Sequence, residues 1–483
     1  MGPTAPSNQP KARSMNPTPE QLAILDFVRT SRANLMLRAR AGCGKTSTLK
    51  LIDATLPPSS AALVICFNKS IADEARKSKS FRSATQIKTM NSIGHSIWAE
   101  FSRRELTLSK TKILDIYRAI VDDADRAERK HLWTLWDAVK EATDMARATG
   151  YIPATHARAD RSLYSFRQLE HLLDATPTPE IHGLVDRVLT ESIRLAFAGT
   201  VDFNDQCYMP ALFGGIFPTF PTVLVDEYQD LSPINRALVA KLCRSSRQIG
   251  VGDEAQAIYE FRGADAMAMP RAINEFEMAV LPLSVSFRCP SAITSNVHWH
   301  VPDIQSFRSG GIVEELPEAR PLPGSAVICR YNAPLLHMAF NLFASGSRVD
   351  VAGIDIGARV IKILGKLGDE SQPRSQTLAA IDDWEAERNS LDSKTAADTA
   401  ACLRVFVRAT PSLGLAIAYA RRIFEATPAE DAIRFMSGHR AKGLEFPHVY
   451  HLNRSGIKQG GQEQNIHYVV DTRARERLTY IGD

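Results

Sequence analysis

Apolar and polar positions along this chain follow two different periods. Short, nearly continuous apolar runs recur between longer stretches of helical period. The first runs span Asn34 to Arg38, Ala61 to Cys66 and Ala84 to Lys88. The first two are apolar at most positions and read as buried strands, the third is a further candidate, and strands separated by helical pattern predict parallel βαβ units. A helix is predicted over Pro17 to Thr30, with Thr18 as N-cap and Pro19-Glu20 in its first turn. From about Gly94 to Leu195 helical period dominates, studded with Arg103, Arg104, Lys110, Lys112, Arg126, Arg129 and Lys130. Strand-like runs return at Thr222 to Asp226, Arg247 to Val251 and Ala279 to Leu283. A second set spans Ser325 to Arg330, Arg348 to Ala352 and Pro447 to Leu452. Between them, Ile354 to Ala432 reads as mostly helical, with a polar loop near Gly368 to Ser375. No internal repeat is visible.

The pattern is that of an α/β protein with two sheet-forming units. The length of 483 residues agrees, being too great for one ordinary core. With 44% apolar and 23% charged residues the composition is that of a globular protein. No apolar run approaches a membrane span, so no membrane partner is expected. Residues 1–16 read as a disordered tail without a signal core. Cys43, Cys66, Cys207, Cys243, Cys289, Cys329 and Cys402 are scattered, which suits a reducing compartment and argues against a disulfide frame or zinc site. Cytoplasm, or a nucleus in a eukaryote, is the expected location. His298 and His300 form an isolated pair expected on a helix surface. The net charge of +4 permits a nucleic-acid partner without requiring one.

Chemistry enters at Ala39 to Thr46, which reads Ala-Arg-Ala-Gly-Cys-Gly-Lys-Thr. This is the phosphate-loop pattern G-x-x-x-x-G-K-[ST] with Ala39 at its first position. A strand precedes it and a helix can open after it. Backbone N–H groups from Ala41, Gly42, Cys43, Gly44, Lys45, Thr46 and Ser47 would then cradle phosphates at a helix N-terminus. Lys45 would reach the β- and γ-phosphates, and the Thr46 hydroxyl would hold Mg²⁺.

The apolar strand at Val223 ends in Asp226-Glu227, followed by Gln229 and Asp230. Asp226 would hold Mg²⁺, while Glu227 would orient and deprotonate the attacking water. An acidic pair after a strand is ordinary turn chemistry by itself; with Lys45 and Thr46 it forms a hydrolytic set. Next comes Gly252 to Ala264, again following a strand. Gln256 can bond a γ-phosphate oxygen and a neighbouring side chain. Phe261 offers a face on which a base can stack.

These stretches, in this order, resemble a superfamily 1 helicase of the UvrD/Rep type. The resemblance runs from Gln21 to Leu478 and accounts for Ala39. Ser286 to Cys289, Gly438 to Phe446 and Val470 to Leu478 resemble that family's fourth, fifth and sixth motifs. The stretches from Phe67 and from His439 particularly resemble the F-box DNA helicase branch and phage relatives, though no F-box is seen. The resemblance implies two RecA-like P-loop NTPase domains with parallel sheets, a helical insertion in the first and a reduced insertion in the second. The implied boundaries are 17–95 with 196–280 for the first domain, 96–195 for its insertion, 281–353 with 433–483 for the second, and 354–432 for its helical segment.

It also implies roles. Gln21 would read the adenine edge, Phe287 would stack on the base, and Glu445 would bond the ribose. Arg288 and Arg473 would contact the γ-phosphate, and both join Lys45, Glu227 and Gln256 in the catalytic set. Phe67, Asn68, Thr89, Phe261, Arg262 and His439 would line a single-strand groove. Asn91 and Ala257 depart from the family's usual His and Ser, which puts the details of coupling and DNA contact in doubt. Asp202 to Asp205 also resembles a family segment of open role. ATP and Mg²⁺ are the implied cofactors. The implied partners are single-stranded DNA and single-strand/duplex junctions, with room for a nuclease, repair or replication protein. The expected activity is ATP-dependent, 3′-to-5′ translocation coupled to unwinding. The alternatives are a translocase that displaces proteins without unwinding, and a nucleotide-gated DNA-binding remodelling module.

Overall fold

The computed structural model describes residues 16–482, except 67–68, 78–79, 354–356, 391–392, 394, 425–428 and 458–459. The tail expected over 1–16 therefore lies, except for residue 16, outside the described residues.

The first sheet has six parallel strands: β1 Leu35–Ala39, β2 Ala62–Cys66, β3 Thr85–Thr89, β4 Thr222–Val225, β5 Arg247–Gly252 and β6 Ala279–Leu283. Their spatial order is β3-β2-β4-β5-β1-β6. Alternate residues of these strands enter two separate cores. Met36, Leu63, Val223 and Val225 pack under the helix Met90–Ser102. Leu35, Leu37, Val64, Leu224, Ile249 and Val251 pack under the helices Pro19–Thr30 and Lys45–Thr55. Cover on both faces is why the inner strands β1, β2, β4 and β5 are almost wholly buried, while the edge strands β3, with Gln86 and Lys88, and β6 are only partly so. The boundary expected at 280/281 falls inside β6, which pairs with β1 and so belongs to this sheet. The boundary expected at 95/96 likewise falls inside the helix Met90–Ser102.

A helical layer interrupts the chain between β3 and β4. Its helices Lys112–Asp122, Arg126–Thr149 and Pro179–Phe197 enclose their own apolar core around Tyr117, Val139, Ala146, Val185 and Leu189.

The second sheet also has six parallel strands: β7 Ile312–Leu316, β8 Ala326–Cys329, β9 Val349–Gly353, β10 Ile433–Ser437, β11 Phe446–Leu452 and β12 Ala474–Ile481. Their order is β7-β12-β11-β8-β10-β9. The sequence pattern shows β8, β9 and β11 plainly. β7, with Glu314 and Glu315 at successive positions, and β12, with its run of Arg and Glu, do not read as buried strands. The helices Gly357–Leu364, Arg374–Asn389, Ala396–Arg408 and Leu413–Phe424 share this sheet's core through Leu364, Ile381, Leu403, Phe406 and Leu413. The polar stretch from Gly368 runs as a loop up to Arg374. The α/β architecture with two parallel sheets is thus the one expected. Among the described residues no helix is long and apolar enough to cross a membrane.

Parallel sheets bind ligands outside the carboxyl ends of their strands. In the first sheet that edge carries the residues after β1, β4, β5 and β6. The second sheet supplies the facing wall.

Candidate active site

β1 ends at Ala39, and the chain turns through Gly42 and Gly44, both at positive φ (72° and 79°). A side chain at either would be strained. At Gly42 an added Cβ would also lie 2.5 Å from the Arg288 Cβ. The close approach is fastened by a backbone bond from Phe287 N–H to Gly42 O, 2.9 Å. Gly44 caps the helix Lys45–Thr55 without a side-chain bond, which leaves the first-turn amides available to an anion. Thr46 stands in that first turn, and Ser47 is exposed.

Lys45 Nζ lies 2.5 Å from Glu227 Oε2. Burial would lower the Lys45 pKa, but Glu227 and then Asp226 override it and hold the ammonium charged. Asp226 is pushed up by burial and by Glu227 beside it. Burial would also raise Glu227, but Lys45 and then Lys442 overcome it and keep the carboxylate ionised. Glu227 occupies a left-handed backbone position, φ 50°, which costs about 1–3 kcal/mol in a non-glycine residue. Gln229 donates to Glu227 Oε2 at 2.7 Å and accepts from Asp253 N at 3.0 Å.

Asp253, fully buried at the end of β5, is the hub of the site. Its carboxylate accepts from Gln256 Nε2 at 2.7 Å, Arg40 Nη1 at 3.3 Å and the Tyr468 hydroxyl at 3.3 Å. Gln256 Oε1 in turn accepts from Arg473 Nη2 at 3.4 Å. Arg473 is 1% exposed, and among the described residues it has no carboxylate partner. Its other bonds go to the Val469 and Leu444 carbonyls and the Thr472 hydroxyl. Burial, and then Arg288, pull its pKa down to about 9.

Arg288 donates to Glu445 Oε2 at 2.9 Å and to Thr472 O at 3.4 Å. Glu445 lies between Arg288 and Arg475 and remains open to solvent. Phe287 stands against Gly44 and pairs with the exposed Phe307 ring at 5.1 Å. Gln21 closes a capping box with Thr18, and its amide donates to Thr48 Oγ1 on the phosphate-loop helix at 3.0 Å. The nucleotide-site residues are therefore assembled around one cleft.

The residues proposed for a DNA groove divide. Phe261, Arg262 and His439 meet across the two sheets: Phe261 and His439 rings lie 4.8 Å apart, and the Arg262 guanidinium lies over Phe261 at 5.3 Å. Phe261 is exposed. Thr89 ends β3 at the same edge and spends its hydroxyl as N-cap of the helix that follows. Asn91 donates to Phe203 O at 2.7 Å. Phe67 and Asn68 lie outside the described residues. Asp202 and Asp205 are held by Arg147 and Lys112 inside the helical layer. His298 and His300 do not stand on a helix surface; they follow the helix Ser291–Asn296 and bond Ile304 O and Asn465 Oδ1 separately. Two rings with separate partners do not form a ligand pair.

Sequence reasoning missed three participants. Tyr468 reaches the phosphate loop, donating to Asp253 while accepting from Ala41 N–H at 2.9 Å. Lys442 bonds both Asp230 oxygens, at 2.7 and 2.8 Å, and Gln256 O at 2.6 Å. Phe307 pairs with Phe287. Tyr468 and Phe307 lie outside the quoted motifs. Lys442 lies within one, and its charge gave no sign of a buried partner in the other sheet.

These residues fit a magnesium nucleotide. The loop glycines open a cradle, and Asp226 is a buried carboxyl short of cationic partners. Arg473 is a buried cation without an anion, and among the described residues no larger acidic or histidine cluster would favour another metal. Thr46 and Asp226 are the residues that would hold the ion.

Comparison with known proteins gives the family. Residues 18–277 match the UvrD/REP helicase N-terminal domain. A stretch of 81 residues is 37% identical to DNA helicase IV of Escherichia coli (strain K12), covering 16% of this chain and 12% of that protein. Among solved structures, Arterivirus nonstructural protein 10, a helicase, is 14% identical, with 95% of this chain and 61% of that chain covered and a TM-score of 0.36. The same helicase solved with DNA is 13% identical, with 95% and 62% covered and a TM-score of 0.35. The matched domain takes in more than half of the residues and includes the phosphate loop, the acidic strand end and the Asp253 hub. The chain belongs to the UvrD/REP helicase family.

Proposed function

We propose that this protein hydrolyses ATP in the cleft between its two sheets and uses the cycle to move 3′-to-5′ along single-stranded DNA, unwinding duplex at junctions. The observation that carries the reading is Arg473. It is a fully buried cation from the second unit with no carboxylate partner among the described residues, bonded to Gln256 of the first. A charge left so is costly unless a ligand supplies the anion. Lys45 and Arg288 converge on the same cleft, which suits a triphosphate.

Each residue then has a task. Glu227, kept ionised by Lys45 and oriented by Gln229, accepts the proton of the attacking water. Gln256, held between Asp253 and Arg473, senses the γ-phosphate. Arg288 and Arg473 neutralise charge that develops on the transferred phosphoryl group. Magnesium, held by Thr46 and Asp226, would supply further charge neutralisation. Gln21, Phe287 and Glu445 orient the nucleoside end. Phe261, Arg262 and His439, with Thr89 at the same edge and with Phe67 and Asn68 as the family resemblance implies, grip the strand by stacking and phosphate contacts that are indifferent to sequence. Opening and closing of the cleft alternates that grip.

The test is ATP turnover with and without single-stranded DNA, followed by unwinding of substrates with 3′ or 5′ overhangs. Turnover should rise with DNA and vanish in Lys45→Ala, with DNA binding partly retained. Turnover that persists in that variant would overturn the site assignment. The second-domain helices share a core with their sheet instead of standing apart as a module. This compactness keeps a protein-displacing translocase in view. Displacement of a DNA-bound protein without strand separation would favour it.

A further inference from the structure

We propose that the Tyr468 hydroxyl is a positioning group that makes the catalytic arrangement of the first sheet depend on the second. This deepens the ATPase reading above and rests on it. Tyr468 lies on the helix Gly461–Asp471 of the second unit and is fully buried. Its ring packs with Ala41, Ala255, Val297, Val301 and Ile304. Its hydroxyl accepts from Ala41 N–H in the phosphate loop and donates to Asp253 Oδ2.

Asp253 distributes that contact. Through its carboxylate it fixes Gln256, whose other end meets Arg473. Through its own N–H it fixes Gln229, which orients Glu227. One hydroxyl therefore joins the phosphate loop, the water-activating carboxylate and the γ-phosphate sensor. All three belong to the first unit, and the hydroxyl does not. Separation of the two units must break both of its bonds. Water that then solvated the two groups would not hold them at one geometry, so the loop and the Asp253 hub are both in register only when the second unit is seated. A second anchor on the same helix sits beside it: Asn465 donates to Glu254 O at 3.2 Å and Ala257 O at 2.9 Å. This grip is on backbone alone and leaves the Asp253 carboxylate untouched.

Tyr468→Phe keeps the ring and removes only the oxygen. The expected result is a thermal midpoint close to the parent's and an ATP KM within about threefold. The kcat in saturating single-stranded DNA should fall about tenfold or more, as small misplacements at reacting centres do. Amide hydrogen exchange at Ala41, measured without nucleotide, should quicken about tenfold. A variant with parental kcat and parental Ala41 exchange overturns the proposal. So does one that raises KM alone, which would make the hydroxyl a binding contact. If the parent protein itself shows no DNA-stimulated turnover, the ATPase reading fails instead, and Ala41 exchange still decides whether the hydroxyl positions the loop.

Discussion

Among the described residues two arginines are almost completely buried, and they live in opposite electrostatic surroundings. Arg147, in the helical layer, is 2% exposed and lies against Asp144, Asp202 and Asp205. Burial works against its charge, but Asp202 and Asp205 overcome it and raise its pKa. Arg473, in the cleft, is equally buried and meets carbonyls, a hydroxyl, an amide and another arginine. The first cation is satisfied within the fold; the second has no anionic partner among the described residues, and in the proposed reading the nucleotide supplies one. Burial alone therefore does not separate structural from functional charge, whereas the partner list does.

The comparison is most strongly tested at the unpaired arginine. Arg473→Ala should cut DNA-stimulated kcat by about 10³ or more, the range seen when an arginine facing a transferred phosphoryl is lost. Its thermal midpoint should hold or rise, because an unpaired buried charge is removed. A parental kcat would place Arg473 with Arg147 as structural. Arg147→Met should do the reverse. Removing one member of a buried ion network costs about 3–5 kcal/mol, here leaving Asp202 without its cation. Hydrogen exchange across the helix Arg126–Thr149 should report that loss, while the protein that remains folded keeps near-parental kcat. The smallest effect is one of pH. Burial and Arg288 take the Arg473 guanidinium to about 9. The same surroundings would carry an ammonium, ordinarily near 10.4, toward neutrality. Arg473→Lys should therefore retain part of its kcat on the acid side and lose it at a lower pH than the parent does. The parent should hold its rate over the pH range in which the lysine variant loses it, because a guanidinium facing a phosphate stays protonated. Identical profiles would show that this side chain's charge does not enter the rate.

Much of the site was legible in the sequence because its chemistry is carried on local segments. A phosphate loop needs glycines at fixed offsets between a strand and a helix, and Gly42, Gly44 and Lys45 appear in that order. The acidic pair after β4 and the glutamine after β5 are read the same way. The inner strands of the first sheet were legible because cover on both faces makes them largely apolar. β7 and β12 were not, since β7 is an edge strand and β12 lies beside it, where charged side chains remain exposed. The paired histidines were misread because the helix before them ends at Asn296, so their rings turn to unrelated partners.

By itself, the sequence determined the family, the phosphate loop and the types of residue that do the chemistry. These depend on spacings of a few residues along one chain. The tertiary structure decided which charges are answered. Tyr468 meets Ala41 and Lys442 meets Asp230 through contacts between groups far apart in the chain, while Arg473 meets no carboxylate among the described residues. Whether a buried arginine is structural or functional depends on what the rest of the fold brings within a few ångströms of it, and the local pattern around Arg147 or Arg473 carries no record of that.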